Sequence, residues 1–118
     1  MLITQVIAEL YGCSPRIESG DAVIKAAKQA AQAVGAHIIG ESSVEYVPHG
    51  LTAAIFLAES HIVLTTWPEH RLLLIDLLLC NPQQSHEQAI SVIKDALCPD
   101  GRQISHEVPR FVGSTPPQ

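Results

Sequence analysis

Between Phe56 and His70 the chain reads FLAESHIVLTTWPEH, and Glu59, Ser60 and His61 set an acid, a hydroxyl and an imidazole inside an otherwise apolar run suited to a sheet strand. Two readings fit. In one, the three residues mark a turn between strands, as a serine at such a place ordinarily does. In the other, the peptide bond between Glu59 and Ser60 is itself a reactant. Held in strained backbone, the Ser60 hydroxyl attacks the Glu59 carbonyl and turns the amide into an ester by an N-to-O acyl shift, which needs an oxyanion donor and a proton acceptor. Elimination across the Ser60 Cα–Cβ bond then frees the upstream chain and leaves a dehydroalanine, which hydrolyses to a pyruvoyl group and ammonia. The new amino terminus is an α-keto amide. It forms a Schiff base with a substrate amine and withdraws electrons as a carbanion develops, the task pyridoxal phosphate performs elsewhere. Decarboxylation of an amino acid then needs no added cofactor.

The elements that must position these residues follow from periodicity. Leu2 to Leu10 suits a first strand, with Gly12 offering a turn. Val23, Ala26, Ala27, Ala30 and Val34 fall at helical spacing, so a helix is expected over Asp21 to Val34, capped by Asp21 and ended by Gly35. Its buried face is mostly alanine and should lie close to whatever it packs on. AHIIGESSVEYV reads as a long strand with an irregularity near Gly40, PHG at Pro48 to Gly50 breaks it, and LTAAIFLAE follows as a strand. HIVLTT is a short strand closed by Trp67 and Pro68. RLLLIDLLLC, Arg71 to Cys80, is apolar enough to be a central strand covered on both faces, and a sheet from a second copy would supply the second cover. Ser85 with Gln88 forms a capping-box pattern ahead of an amphipathic helix through Leu97, RQISHEV is a last strand, and GSTPPQ a loose tail. The expected fold is α+β: an antiparallel β-sheet with two helices on one face, dimerising into an αββα sandwich.

A chain of 118 residues without a linker or internal repeat is expected to form one domain, 1–118. With 47% hydrophobic and 16% charged residues it is too apolar for disorder, and no apolar run approaches the length of a membrane span. The amino terminus MLITQVIAELYG lacks the basic region and cleavage site of a secretory signal, so a cytoplasmic location is expected. A net charge of -5 without a Lys/Arg cluster argues against nucleic acid as partner and suits a cationic small molecule better. Cys13, Cys80 and Cys98 are odd in number and widely spaced, which suggests thiols rather than a disulfide framework. Cys13 and Cys98 read as structural. His37, His86 and His106 look like ordinary strand-end or helix-start residues, and no His or Cys pair has metal-ligand spacing, so no metal is expected.

The run AESHIVLTTWPEH, with Gly50 upstream, Cys80 downstream, ELYGC at Glu9 to Cys13 and YVPHGLT at Tyr46 to Thr52, resembles the pyruvoyl-dependent prokaryotic S-adenosylmethionine decarboxylase proenzyme family. The likeness spans residue 6 to about residue 80, and its specificity lies in the cluster: E-S-H, then T-W-P-E, then a cysteine after an apolar strand. It implies that Ser60 is the pyruvoyl precursor, cut from Glu59 to leave two chains folded together. Cys80 would protonate the carbanion once carbon dioxide leaves; its plainer reading is a small hydrophobe ending a core strand. Tyr46 stands where an aromatic stacks on adenine, although a core aromatic would look the same. Glu69 stands where an acid binds the ribose diol, although a solvated turn residue would also serve. Trp67 and Pro68 read as shaping that turn.

One position departs from the pattern. Family members usually carry a second histidine five residues after the precursor serine, serving self-cleavage, and here that residue is Thr65, which cannot act as a base near neutral pH. Thr52, where the family often has a processing serine, keeps a hydroxyl for the ester intermediate. His61 and His70 are candidate replacement bases, and each also reads as a surface or structural histidine. Processing is then slow, carried by another group, or absent. The resemblance implies a homodimer of processed protomers that decarboxylates S-adenosylmethionine for spermidine and other polyamine synthesis. Alternatives are an uncleaved, non-catalytic homologue acting as a binding or regulatory subunit, a pyruvoyl decarboxylase shifted to ornithine or arginine, and an unrelated α+β ligand-binding domain.

Overall fold

The structure is a computed structural model that describes residues 1–58 and 60–117. Six strands, β1 (Leu2–Tyr11), β2 (Ile38–Glu45), β3 (Leu51–Leu57), β4 (Ser60–Trp67), β5 (Leu72–Leu78) and β6 (Arg102–Phe111), form one sheet in the order β2-β3-β4-β5-β1-β6. Every neighbouring pair is antiparallel. Two helices, α1 (Gly20–Ala33) and α2 (His86–Leu97), cover one face. This is the α+β layout expected from the strand and helix periods.

Alternation explains which face is covered. In β3 the residues Leu51, Ala53, Ile55 and Leu57 are buried, and the register carries the pattern to Ile62, Leu64 and Thr66 of β4 and to Leu73, Ile75 and Leu77 of β5. These side chains meet Ala26, Ala27, Ala30 and Ala31 of α1 and Ala89, Ile90, Ile93 and Leu97 of α2 in one core. Small side chains on α1 let its axis approach β3, so added bulk there would cost about 1–3 kcal/mol by overpacking. Among the described residues no element covers the other face. Leu72, Leu74 and Leu78 of β5 are half-buried there, and Ile7, Phe56 and Trp67 are exposed.

The helix ends show the local chemistry. Ser19, not Asp21, caps α1: its Oγ accepts from Ala22 N at 3.2 Å, while Asp21 sits in the first turn, where a carboxylate favours the helix dipole. Both are cap-forming residues, and the 3₁₀ turn Pro15–Glu18 delivers the chain to Ser19 in extended conformation, which decides between them. Gly35 ends α1 as expected, at φ 74°, and the pair Gly35 N to Gln32 O (3.1 Å) and Ala36 N to Ala31 O (2.9 Å) closes the last turn. The register shifts between Ile38 and Gly40, which is the expected irregularity in β2. Ser85 Oγ accepts from Gln88 N at 3.1 Å and caps α2. Among the described residues no helix is long and apolar enough to cross a membrane.

Candidate active site

The sequence-marked residues gather at the two ends of β4. At its start, Ser60 faces Leu57 across the β3–β4 turn and therefore shares the covered face. Ser60 Oγ donates to Ala58 O at 3.5 Å, and Ala58 N donates to His37 O at 3.0 Å. Ser60 lines a cavity of about 310 Å³ together with Cys80, His37, Asn81, Gln84 and Leu57. Cys80 reaches it from two residues beyond β5. Glu59, the other partner in the expected cleavage, lies outside the described residues.

At the far end, a cavity of about 290 Å³ is lined by Tyr46, His49, Thr65, Thr66, Trp67 and Glu69. Tyr46 follows β2, and its N–H donates to Gly50 O at 2.8 Å, closing a tight loop in which Gly50 takes φ 95°. Glu69 sits in the turn Pro68–His70, which ends at Arg71 in left-handed conformation, φ 50°. Two bonds hold Arg71 there: its Nε donates to Cys13 O at 2.9 Å and its Nη2 to Gly12 O at 3.3 Å. The strained residue is thus fixed from outside, and the turn carrying Glu69 is fixed with it.

Thr52 and Thr65 are register partners on the open face. Their Oγ1 atoms lie 3.1 Å apart, and Thr52 Oγ1 lies 2.8 Å from Tyr46 Oη, so the three hydroxyls form one chain. Five residues along an extended strand is roughly 17 Å at about 3.3 Å per residue, so within one protomer neither threonine meets Ser60. His61 follows Ser60 in sequence, yet alternation turns it to the open face. There its Nε2 lies 3.3 Å from Asp76 Oδ1, close enough for an ion pair but at an angle that makes no hydrogen bond. Asp76 Oδ1 accepts from Gln5 Nε2 at 2.8 Å, and Gln5 Oε1 accepts from Arg110 Nη1 at 2.8 Å. His70 lies in the turn beyond the far end of β4.

Sequence reasoning missed His37 and His49. No spacing rule ties residue 37 to residue 60. The link is topological: Ile38 pairs with Leu57 and Leu57 with Ser60, so the entry to β2 arrives beside the start of β4. His49 was visible only as part of a strand-breaking PHG. Cys13 and Cys98 are fully buried against each other at the end of β1, where Cys13 Sγ donates to Leu10 O at 3.3 Å. Burial, then the neighbouring Cys98, pushes the Cys13 thiol well above its ordinary value. Among the described residues no group of three His, Cys, Asp or Glu side chains is placed to hold a metal ion.

Residues 4–110 match the model of the S-adenosylmethionine decarboxylase family. A protein from Thermosipho melanesiensis named S-adenosylmethionine decarboxylase proenzyme is 32% identical over 93 residues, 78% of this chain and 72% of that protein. One of the same name from Parasynechococcus marenigrum is 33% identical over 111 residues, 93% of this chain and 84% of that protein. The crystal structure of the adenosylmethionine decarboxylase from Aquifex aeolicus superposes with a TM-score of 0.83 at 28% identity, covering 99% of this chain and 98% of that one. With residues 4–110 of the chain matched by the family model and the fold shared end to end, the chain belongs to the S-adenosylmethionine decarboxylase family.

Proposed function

We propose that the chain cleaves itself between Glu59 and Ser60 and, through a pyruvoyl group derived from Ser60, decarboxylates S-adenosylmethionine. The observation that carries this reading is the meeting of Ser60 and Cys80 on one cavity, although 20 residues separate them in the chain. The cavity fits the group. Residue 60 begins β4, which is bonded to β3 and β5 on either side, so an amino terminus created there stays anchored in the sheet after the cut. A pyruvoyl group supplies an electron-poor carbonyl that binds an amine and accepts electrons as carbon dioxide departs. Cys80 holds a proton at Sγ beside that position and delivers it to the substrate α carbon. The product keeps an aminopropyl group on a sulfonium, the donor form that spermidine synthesis consumes. A small substrate of this kind and a net charge of -5 suit an enzyme of the cytoplasm.

Tyr46 and Glu69 bind the nucleoside in this reading, the ring stacking on adenine and the carboxylate accepting from the ribose diol. They sit at the far end of β4, and Ser60 to Trp67 alone is roughly 23 Å at about 3.3 Å per residue, farther than one substrate molecule reaches. Two copies solve this. A second copy laid end for end on the open sheet face brings its Tyr46 and Glu69 to the β3–β4 end of the first copy's sheet, the edge from which Ser60 is reached. The exposed Ile7, Phe56 and Trp67 on that face, together with Leu72, Leu74 and Leu78 of β5, support such a pairing. The test is carbon dioxide release from carboxyl-labelled S-adenosylmethionine: label released by the natural chain and not by Ser60→Ala supports the reading, and no release from either overturns it. The engagement of Thr65 in a hydroxyl chain favours one second reading, an uncleaved binding subunit that holds the nucleoside without releasing label.

A further inference from the structure

We infer that the His37 imidazole is the base that removes the Cα proton of residue 60 in the ester elimination, the task for which position 65 offers only a hydroxyl. The inference rests on the self-cleavage reading above.

Geometry separates the histidines. His61 lies on the open face beside Asp76. Within one chain His49 and His70 belong to the far end of β4, away from Ser60. His106 faces Glu9 at 3.2 Å on the β1–β6 side, and His86 opens α2. His37 lines the cavity that holds Ser60 and Cys80. Its position there is fixed twice over. The main-chain bond from Ala58 N to His37 O, 3.0 Å, ties it to the residue two before Ser60, and the Ile38–Leu57–Ser60 ladder sets its register. The closed end of α1 at Gly35 and Ala36 delivers the chain to this point. His37 is also exposed, so a proton it accepts can pass to solvent. Thr65, by contrast, lies on the other sheet face and shares its hydroxyl with Thr52.

The step balances within the chain. Once the acyl shift has made the ester, His37 takes the Cα proton, the released electron pair forms the Cα–Cβ double bond, and the Cβ–O bond breaks. Glu59 departs as the carboxylate end of the upstream chain. The dehydroalanine left at residue 60 then takes up water and loses ammonia. Here His37 is spent only as a proton carrier.

The test follows freshly made His37→Gln by intact mass under denaturing conditions, with and without hydroxylamine, which cuts esters and spares amides. A glutamine leaves the main-chain bond to Ala58 in place. The expected result is cleavage at least about 100-fold slower than in the natural chain, the scale of a lost general base. The uncut chain should become hydroxylamine-sensitive at residue 60, and its unfolding midpoint, read by the single Trp67, should match that of uncut Ser60→Ala, which shows that the variant folds. Cleavage of His37→Gln at the natural rate overturns the inference while leaving self-cleavage intact. A His37→Gln chain that stays whole and resists hydroxylamine moves the block ahead of the ester and overturns the assigned step. A natural chain that itself stays whole and resists hydroxylamine overturns the self-cleavage reading, and this inference with it.

Discussion

Gly50→Ala tests how the fold holds the end of β4 to which the proposal assigns the nucleoside. Gly50 has φ 95°, and an added Cβ would stand 2.9 Å from Thr66 O and 3.7 Å from Tyr46 Cδ2. An L side chain at such an angle costs of order 1–3 kcal/mol. The Thr66 carbonyl has little room to retreat, because Thr66 is locked in β4 opposite Leu73 and its hydroxyl accepts from Leu51 N at 3.0 Å. A loss of about 2–3 kcal/mol is therefore expected. With a urea slope of about 1–3 kcal/mol/M for a small domain, the unfolding midpoint should fall by about 1 M. The single Trp67, next to this loop, reports the transition, and a Ser60→Ala background keeps the chain in one piece. Any relief by loop movement breaks the Tyr46 N to Gly50 O bond and shifts the tyrosine ring. KM for S-adenosylmethionine should then rise about tenfold, the equivalent of roughly 1.4 kcal/mol, while self-cleavage at the other end of β4 keeps its rate. Natural stability together with natural KM would refute the reasoning, since neither the backbone angle nor the 2.9 Å approach would then matter.

Other perturbations separate the two ends. Glu69→Gln removes the charged acceptor that the proposal assigns to the ribose diol and should raise KM by roughly tenfold, on the scale of a hydrogen bond to a charged group, with cleavage unaffected; steady-state kinetics on cleaved protein checks this. Cys80→Ala should cleave itself normally yet lose about 100-fold or more in kcat, as expected for a lost proton donor, and measuring both rates on one preparation tests the split. Burial and Cys98 raise the folded Cys13 thiol above its ordinary value of 9.0, so the folded state keeps a proton that the unfolded chain gives up. Stability is then intact below that value and declines as pH rises beyond it, by at most about 1.4 kcal/mol per pH unit, and Cys13→Ala should flatten the alkaline limb of a denaturation-against-pH series.

The fold was legible wherever one side of an element is buried. The alanine stripe of α1, the alternation of β3 and the cap at Ser85 each state their structure locally. Local rules failed where neighbours compete or a partner strand decides. Ser19 took the cap from Asp21 because the preceding turn set its backbone. The last strand runs to Phe111, past the expected end at Val108, since Pro109 lies in an edge strand, where a missing N–H is tolerated. In the site, Ser60 and Cys80 were marked by residue type and resemblance, and the cavity unites them. That Thr52 and Thr65 stand far from Ser60, and that His37 stands beside it, depends on register between strands, which no window of sequence carries.

The central claim is that the peptide bond before Ser60 breaks. Intact mass of freshly purified natural protein, taken under denaturing conditions, reads it most directly. Two chains of 59 residues, the downstream one beginning with a pyruvoyl group in place of serine and lighter accordingly, are the result expected. A single chain of 12.7 kDa that persists on long incubation would contradict it.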